Sequence, residues 1–253
     1  MSSISKTRTP LSIIGVPVLP LESYAEAVAH VEETVCTRRK SFCIAINPEK
    51  VQRAKQDKQL LGVLRQADLG ICDGVGIVLA AKLLHGKSIA RCTGCDLFLQ
   101  LLAVGASKDW RIFLLGASPE SNAGAHAKLR ELHPDLTICG RQDGYFTDSR
   151  AVVERINDSG ADLLFVAMGS PKQEYWISKH RAALDVPFCM GVGGSFDILS
   201  GAATRAPRLF RKTGTEFLYR LAANPRRLRR QMALPGFLFS VLQQRFARSK
   251  GQA

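Results

Sequence analysis

The sequence predicts an α/β protein, a Rossmann-like and mostly parallel sheet with helices on both faces, followed by a basic helical C-terminal appendage. Three observations carry this expectation. Apolar runs of four to six residues alternate with longer stretches of helical spacing. Polar residues and glycines recur just after those runs. Positive charge is concentrated at one end: residues 205–253 hold twelve Lys/Arg and one acid, Glu216, in a chain with 35 basic and 22 acidic side chains. Parallel strands covered on both faces read as near-continuous apolar runs, and their crossovers are helices.

In order along the chain, the predicted strands are residues 42–46, 69–72, 111–115, 136–139, 163–167 and 188–192. Each is apolar or β-branched, and most end at Gly, Asn or Asp. Helical spacing is found over residues 51–66, 75–84, 96–106, 121–132, 149–159 and 173–184. Near residue 205 the composition shifts, which divides the chain into an α/β domain, 1–204, and a basic amphipathic appendage, 205–253. In that appendage Asn224-Pro225 reads as a helix cap and first residue. Pro235-Gly236 reads as a break before a final helix.

No apolar run approaches the roughly 18 residues needed to span a bilayer. The longest, residues 11–21, is interrupted by Pro17 and Pro20, and the N-terminus lacks the shape of a signal peptide. The expectation is a cytoplasmic protein that touches a membrane peripherally, on its cytoplasmic face. The appendage mixes cations with Leu234, Phe237, Leu238, Phe239, Val241, Leu242 and Phe246, which suits an anionic lipid surface better than a nucleic acid. The seven cysteines are odd in number and lie mostly in apolar segments, where thiols act as small hydrophobes. Cys92 and Cys95 have the spacing of a zinc or redox pair, but no second pair or His cluster accompanies them. The five histidines are scattered, none at a strand end.

In doubly wound sheets, ligands bind beyond the carboxyl ends of the strands. Asp73 sits there, before Gly74-Val75-Gly76, and reads equally as a general base or as the N-cap of the next helix. In Gly169-Ser170-Pro171-Lys172-Gln173-Glu174, Pro171 suits a first helical turn with Ser170 as cap, which directs Lys172 and Gln173 toward a ligand. Gly191 to Ser195 lacks the dinucleotide spacing, and no phosphate loop occurs, so NAD and ATP chemistry are disfavoured. There is no Asp-x-Asp pair to hold a diphosphate through a metal, so no metal or cofactor is expected and Arg, Lys or backbone N–H groups must neutralise the leaving group.

These motifs resemble the WecG/TagA/CpsF family of bacterial glycosyltransferases. The matching stretches are Ala45-Ile46-Asn47-Pro48-Glu49-Lys50, Asp73-Gly74, Arg91-x-x-Gly94-x-Asp96-Leu97, residues 112–116, Asp143-Gly144-Tyr145-Phe146, and residues 167–174 and 190–197. They continue with Arg205-Ala206-Pro207, residues 216–221 and Pro225-Arg226-Arg227-x-x-Arg230. Ala-Ile-Asn and Ala-Met-Gly-Ser-Pro-Lys-Gln-Glu look most like the WecG branch.

The resemblance implies an inverting, metal-independent transfer from a UDP-sugar to undecaprenyl-diphosphate-GlcNAc in cell-surface polysaccharide synthesis. In the WecG branch the sugar is N-acetylmannosaminuronate, for enterobacterial common antigen. Elsewhere in the family it is N-acetylmannosamine, for teichoic-acid linkage, or glucose. Asp73 matches the family's proposed base, and Asn47 and Gln173 match pocket residues. Arg220, Arg227 and Arg230 match arginines of an appendage that closes over the site at the membrane. The shared motifs also put Arg91, Asp96, Lys172, Asp197 and Arg205 among the expected substrate-binding residues. Ala45 stands where the family commonly has Thr.

Overall fold

The computed structural model describes residues 8–207, 209–210, 219 and 233–250. The chain enters through a short antiparallel hairpin, β1 (Leu11–Ile13) and β2 (Val16–Val18). Its two turn residues, Ile14 and Gly15, both have positive φ (52° and 78°), the backbone hand that tight hairpins favour. There follow α1 (Tyr24–Thr37), β3 (Ser41–Ile46), α2 (Pro48–Ala54), α3 (Lys58–Arg65), β4 (Leu69–Cys72) and α4 (Val75–His85). Next come α5 (Gly94–Ser107), β5 (Ile112–Gly116), α6 (Pro119–Leu132), β6 (Ile138–Gln142) and α7 (Ser149–Asp158). The described elements end with β7 (Leu163–Ala167), α8 (Lys172–His180), β8 (Phe188–Gly191), α9 (Ser195–Leu199) and α10 (Ala233–Lys250).

Strands β3 to β8 form one sheet in the order β4-β3-β8-β7-β5-β6, with every pairing parallel. Alternate residues enter two separate cores. Phe42, Ile44, Ile46, Phe113, Leu115, Leu164 and Val166 pack under α2, α3, α4, α7, α8 and α10. Cys43, Ala45, Ile71, Leu114, Phe165 and Met190 pack under α1, α5 and α6. Burial on both faces is why these strands carry no polar alternation. The hairpin covers the β4 edge, where Leu19 N–H donates to Gly70 O at 2.8 Å.

Several boundaries differ from the sequence reading, each for a local reason. The helix expected over 51–66 is two helices, because Asp57 accepts a bond from Leu60 N at 2.9 Å and starts α3 afresh. Strand β6 lies two to three residues later than expected. It is the sheet's edge and largely half-exposed, so it tolerates Gly140-Arg141-Gln142 and gives a weak apolar signal. Helix α8 stops at His180, before the expected 184. Its N-cap is Pro171, without a side-chain cap bond, so Ser170 does not play that role.

Pro235-Gly236 does not break a helix. Pro235 lies in the first turn of α10, where a missing N–H has no intrahelical partner to lose. The cap expected at Asn224-Pro225 lies outside the described residues. Two side chains assigned from sequence to the lipid surface instead face inward: Phe237 is 4 % exposed and Val241 1 %, both in the core beside α2 and α4. Polar ties support this docking. Lys55 Nζ donates to Ser240 Oγ at 2.7 Å, and Ile14 N–H donates to Gln244 Oε1 at 2.9 Å.

Docking through Phe237 makes a direct expectation. Phe237→Ala should lower the free energy of unfolding by about 3 kcal/mol in urea titration, as core truncations of Phe do. Phe239→Ala, at a position 62 % exposed, should change it by less than about 0.5 kcal/mol.

Candidate functional site

The sheet parts in its middle. The β3–β8 ladder ends at Cys43↔Met190, although β3 continues to Ile46. Strand β8 stays with β7, through Val166↔Gly191 and a bond from Val192 N to Val166 O at 2.9 Å. Strand β3 stays with β4, through Ile46↔Cys72 and a bond from Asp73 N to Ile46 O at 2.8 Å. The two strand pairs therefore part beyond Cys43 and Met190, at their carboxyl ends. Asn47 and Asp73 lie on one side of that divergence, and Gly193-Gly194 on the other. This is the crevice that doubly wound sheets offer to ligands.

Asn47 caps α2, with Oδ1 accepting from Lys50 N at 2.9 Å. Asp73 does not cap α4; that position is held by Gly74, at φ 108°. The half-buried Asp73 carboxylate lies close enough to Cys72 and Cys92 to act on both thiols. Burial first, and Asp73 second, push each of them up to about 12. Cys92 is buried and its thiol is held against ionisation, which disfavours it as a reactive partner for the half-exposed Cys95. Arg91 opposes the upward shift at Cys72, and Asp96 adds to that at Cys92. Asp73, Arg91 and Asp96 thus surround one place, where Cys92 N donates to Cys72 O at 2.8 Å.

Asp96 is part of a chain of bonds. Thr93 caps α5 and donates from Oγ1 to Asp96 Oδ2 at 2.8 Å, while Thr93 N donates to Tyr24 Oη at 2.9 Å. Arg205 pairs with Asp96 Oδ1. The first residue of the basic appendage is thereby held at the N-terminus of α5, and the buried Ala206 follows it.

On the other side of the crevice, Gln173 is buried. Its Oε1 accepts from Gly193 N at 3.0 Å, and its Nε2 donates to Glu174 Oε1 at 3.1 Å. Glycine at 191 leaves room for the Gln173 amide, which a Cβ there would displace. Asp197 lies beside the same loop, with its carboxylate 3.5 Å from where a Cβ on Gly194 would stand. Lys172 is turned elsewhere. It lines a shallow depression between α3 and α8 with Gln59, Val63 and Trp176. Arg220, Arg227 and Arg230 lie outside the described residues.

Sequence reasoning did not select Lys50 and Glu174. They form a buried ion pair at 2.7 Å, and Lys50 Nζ also donates to Ala45 O at 2.8 Å. Glu174 Oε2 is buried without a partner. A signal was present: opposite charges stand at the third residue of the helices that follow β3 and β7, the strands on either side of β8.

A model of the family described as "Glycosyl transferase WecG/TagA/CpsF family" matches residues 11–251. Two relatives carry the name N-acetylglucosaminyldiphosphoundecaprenol N-acetyl-beta-D-mannosaminyltransferase. The one from Bacillus spizizenii (strain ATCC 23059 / NRRL B-14472 / W23) is 37 % identical over 224 residues, which is 88 % of this chain and 87 % of the relative. The one from Bacillus subtilis (strain 168) is 35 % identical over 199 residues, 79 % of this chain and 78 % of the relative. With a parallel sheet that parts at its centre and the strand-end residues gathered there, the chain belongs to the WecG/TagA/CpsF family and is a glycosyltransferase.

Proposed function

We propose that this enzyme moves an N-acetylmannosamine-type sugar, neutral or as its uronate, from UDP to undecaprenyl-diphosphate-linked N-acetylglucosamine. The observation that carries this reading is the half-buried Asp73 at the end of β4, with Arg91 near enough to act on the same Cys72 thiol, in a chain similar along most of its length to two mannosaminyltransferases. Asp73 takes the proton of the acceptor hydroxyl as that oxygen attacks the anomeric carbon. The bond to UDP breaks on the opposite face, and its electron pair leaves on the diphosphate, with inversion. Lack of any Asp-x-Asp pair supports a metal-independent reaction. Arg91, with Arg220, Arg227 and Arg230 of the appendage, neutralises the diphosphates.

The names of the relatives favour the neutral hexosamine. The WecG-like wording of residues 45–47 and 167–174 favours the uronate, whose carboxylate needs a cation. Arg205 is already paired with Asp96 and Lys50 with Glu174, and Lys172 faces the α3–α8 depression. A panel of UDP-sugars offered to a short polyprenyl-diphosphate-GlcNAc acceptor, read by product mass, decides among these and glucose. No transfer of either mannosamine form overturns the reading.

Asp73→Asn should lower kcat by about 10²–10⁴-fold, the usual contribution of general-base help, with the fold retained by circular dichroism. A near-normal rate would remove Asp73 from the role.

The same proposal puts the enzyme peripherally at an anionic bilayer, on the cytoplasmic face. Among the described residues no helix is long and apolar enough to cross a membrane. Leu238, Phe239, Leu242 and Phe246 are exposed on α10, and Val75 and Leu79 are exposed on α4, which packs against it. With the cations of residues 205–253 these suit insertion among anionic head groups, each cation adding about 1 kcal/mol near the surface. The double variant Phe239→Glu/Phe246→Glu should stay folded and lose sedimentation with phosphatidylglycerol vesicles. Undiminished sedimentation, or a preference for DNA over vesicles at equal salt, would count against this face.

A further inference from the structure

We propose that Lys50 and Glu174 act as a positioning unit for transfer, orienting the Gln173 amide so that it fixes the Gly193 end of β8 against the end of β3. This rests on the crevice being the transfer site. The argument starts from the parted strands. Beyond Cys43, β3 has no ladder to β8, so Ala45 O faces a gap where a buried carbonyl needs a donor. Lys50 Nζ supplies it at 2.8 Å and meets Glu174 Oε1 at 2.7 Å. That oxygen also accepts from Gln173 Nε2, and Gln173 Oε1 accepts from Gly193 N. A single path of hydrogen bonds therefore crosses the gap from β3 to the β8 loop.

Its direction is set by charge. An ionised carboxylate only accepts, so it draws the N–H2 end of Gln173 toward itself and leaves the carbonyl end for Gly193. A neutral amide at 174 can donate as well as accept, and the Gln173 amide is then free to turn over. The loop it holds is unusual: Gly193 has φ 56°, and Asp197 lies beside Gly194. A buried pair of charges is a poor source of stability, because desolvation offsets most of the attraction. The partnerless Glu174 Oε2 makes this pair more costly still. An apolar pair would avoid the desolvation of two charges, at the loss of one donor to Ala45 O, and would not orient Gln173.

The test compares Glu174→Gln and the double variant Lys50→Met/Glu174→Met with the full-length enzyme. Hydrogen exchange at the Gly193 amide is followed by NMR, and kcat and KM are measured for the UDP-sugar that the panel identifies. In both variants Gly193 should exchange at least about tenfold faster, as loss of one hydrogen bond allows. Their kcat should fall about 100-fold, the size expected from small misplacement of reacting groups, while KM changes little. The double variant should stay folded and melt cooperatively, with a melting temperature lowered only by the donor that Ala45 O loses, which separates positioning from loss of the fold.

Unchanged exchange at Gly193 overturns the proposal. So does faster exchange with wild-type kcat. A double variant that cannot fold assigns the pair to the fold alone and also overturns it. If the wild-type enzyme transfers none of the sugars, the functional reading falls separately, and the exchange measurement still decides whether Glu174 orients the loop.

Discussion

The parting of β3 from β8 is the constraint on which the rest of the site depends. A parallel sheet satisfies its backbone only where strands run side by side. Here the two halves, β4-β3 and β8-β7-β5-β6, share a ladder only as far as Cys43 and Met190. Past that point each half is held by its own partner, and the space between must be filled by groups that can donate and accept. Lys50, Glu174 and Gln173 fill it with charge and amide rather than with apolar side chains. The result is a polar gap in an otherwise apolar sheet, with Asn47 and Asp73 on one lip and Gly193 and Asp197 on the other.

Two ion pairs flank the crevice, Lys50 with Glu174 and Arg205 with Asp96. Asp96 is drawn by Thr93 and Arg205, and Thr93 in turn by Tyr24. The appendage thus begins at a fixed point by the start of α5. Within it, α10 sends Phe237 and Val241 into the core beside α2 and α4. The outward side of that helix, with Phe239 and Phe246, is left to solvent. One helix therefore has an apolar inner face committed to the protein and an apolar outer face proposed for lipid. Composition counts both faces together and so overestimates the outer one.

Legibility varied with how each signal arises. β4 and β7 were bounded correctly because both faces are buried and every residue in them is apolar or glycine. β6 was displaced because an edge strand need not be apolar. The β1–β2 hairpin, three residues per strand, is too short for periodicity to register. The division of α2 from α3 rests on one capping aspartate, Asp57, inside a stretch whose apolar spacing looks continuous. At the candidate site, Asp73 was singled out by its position at a strand end and Arg91 by the family motif, but the Asp96–Arg205 pairing spans 109 residues and has no local signature.

From the sequence alone came the fold class, the basic appendage, the family resemblance and the proposal of a site at the strand ends. These follow from local regularities: period, glycine and proline placement, and charge counted along the chain. Only the tertiary structure decided which polar side chains touch a neighbour and which face the crevice. It turned Gln173 inward onto Gly193, paired Lys50 with Glu174, held Arg205 against Asp96, and sent Phe237 into the core. The physical reason is that a polar group's partner is chosen by distance in space. That distance is set by where β3 and β8 part, which no local stretch of sequence records.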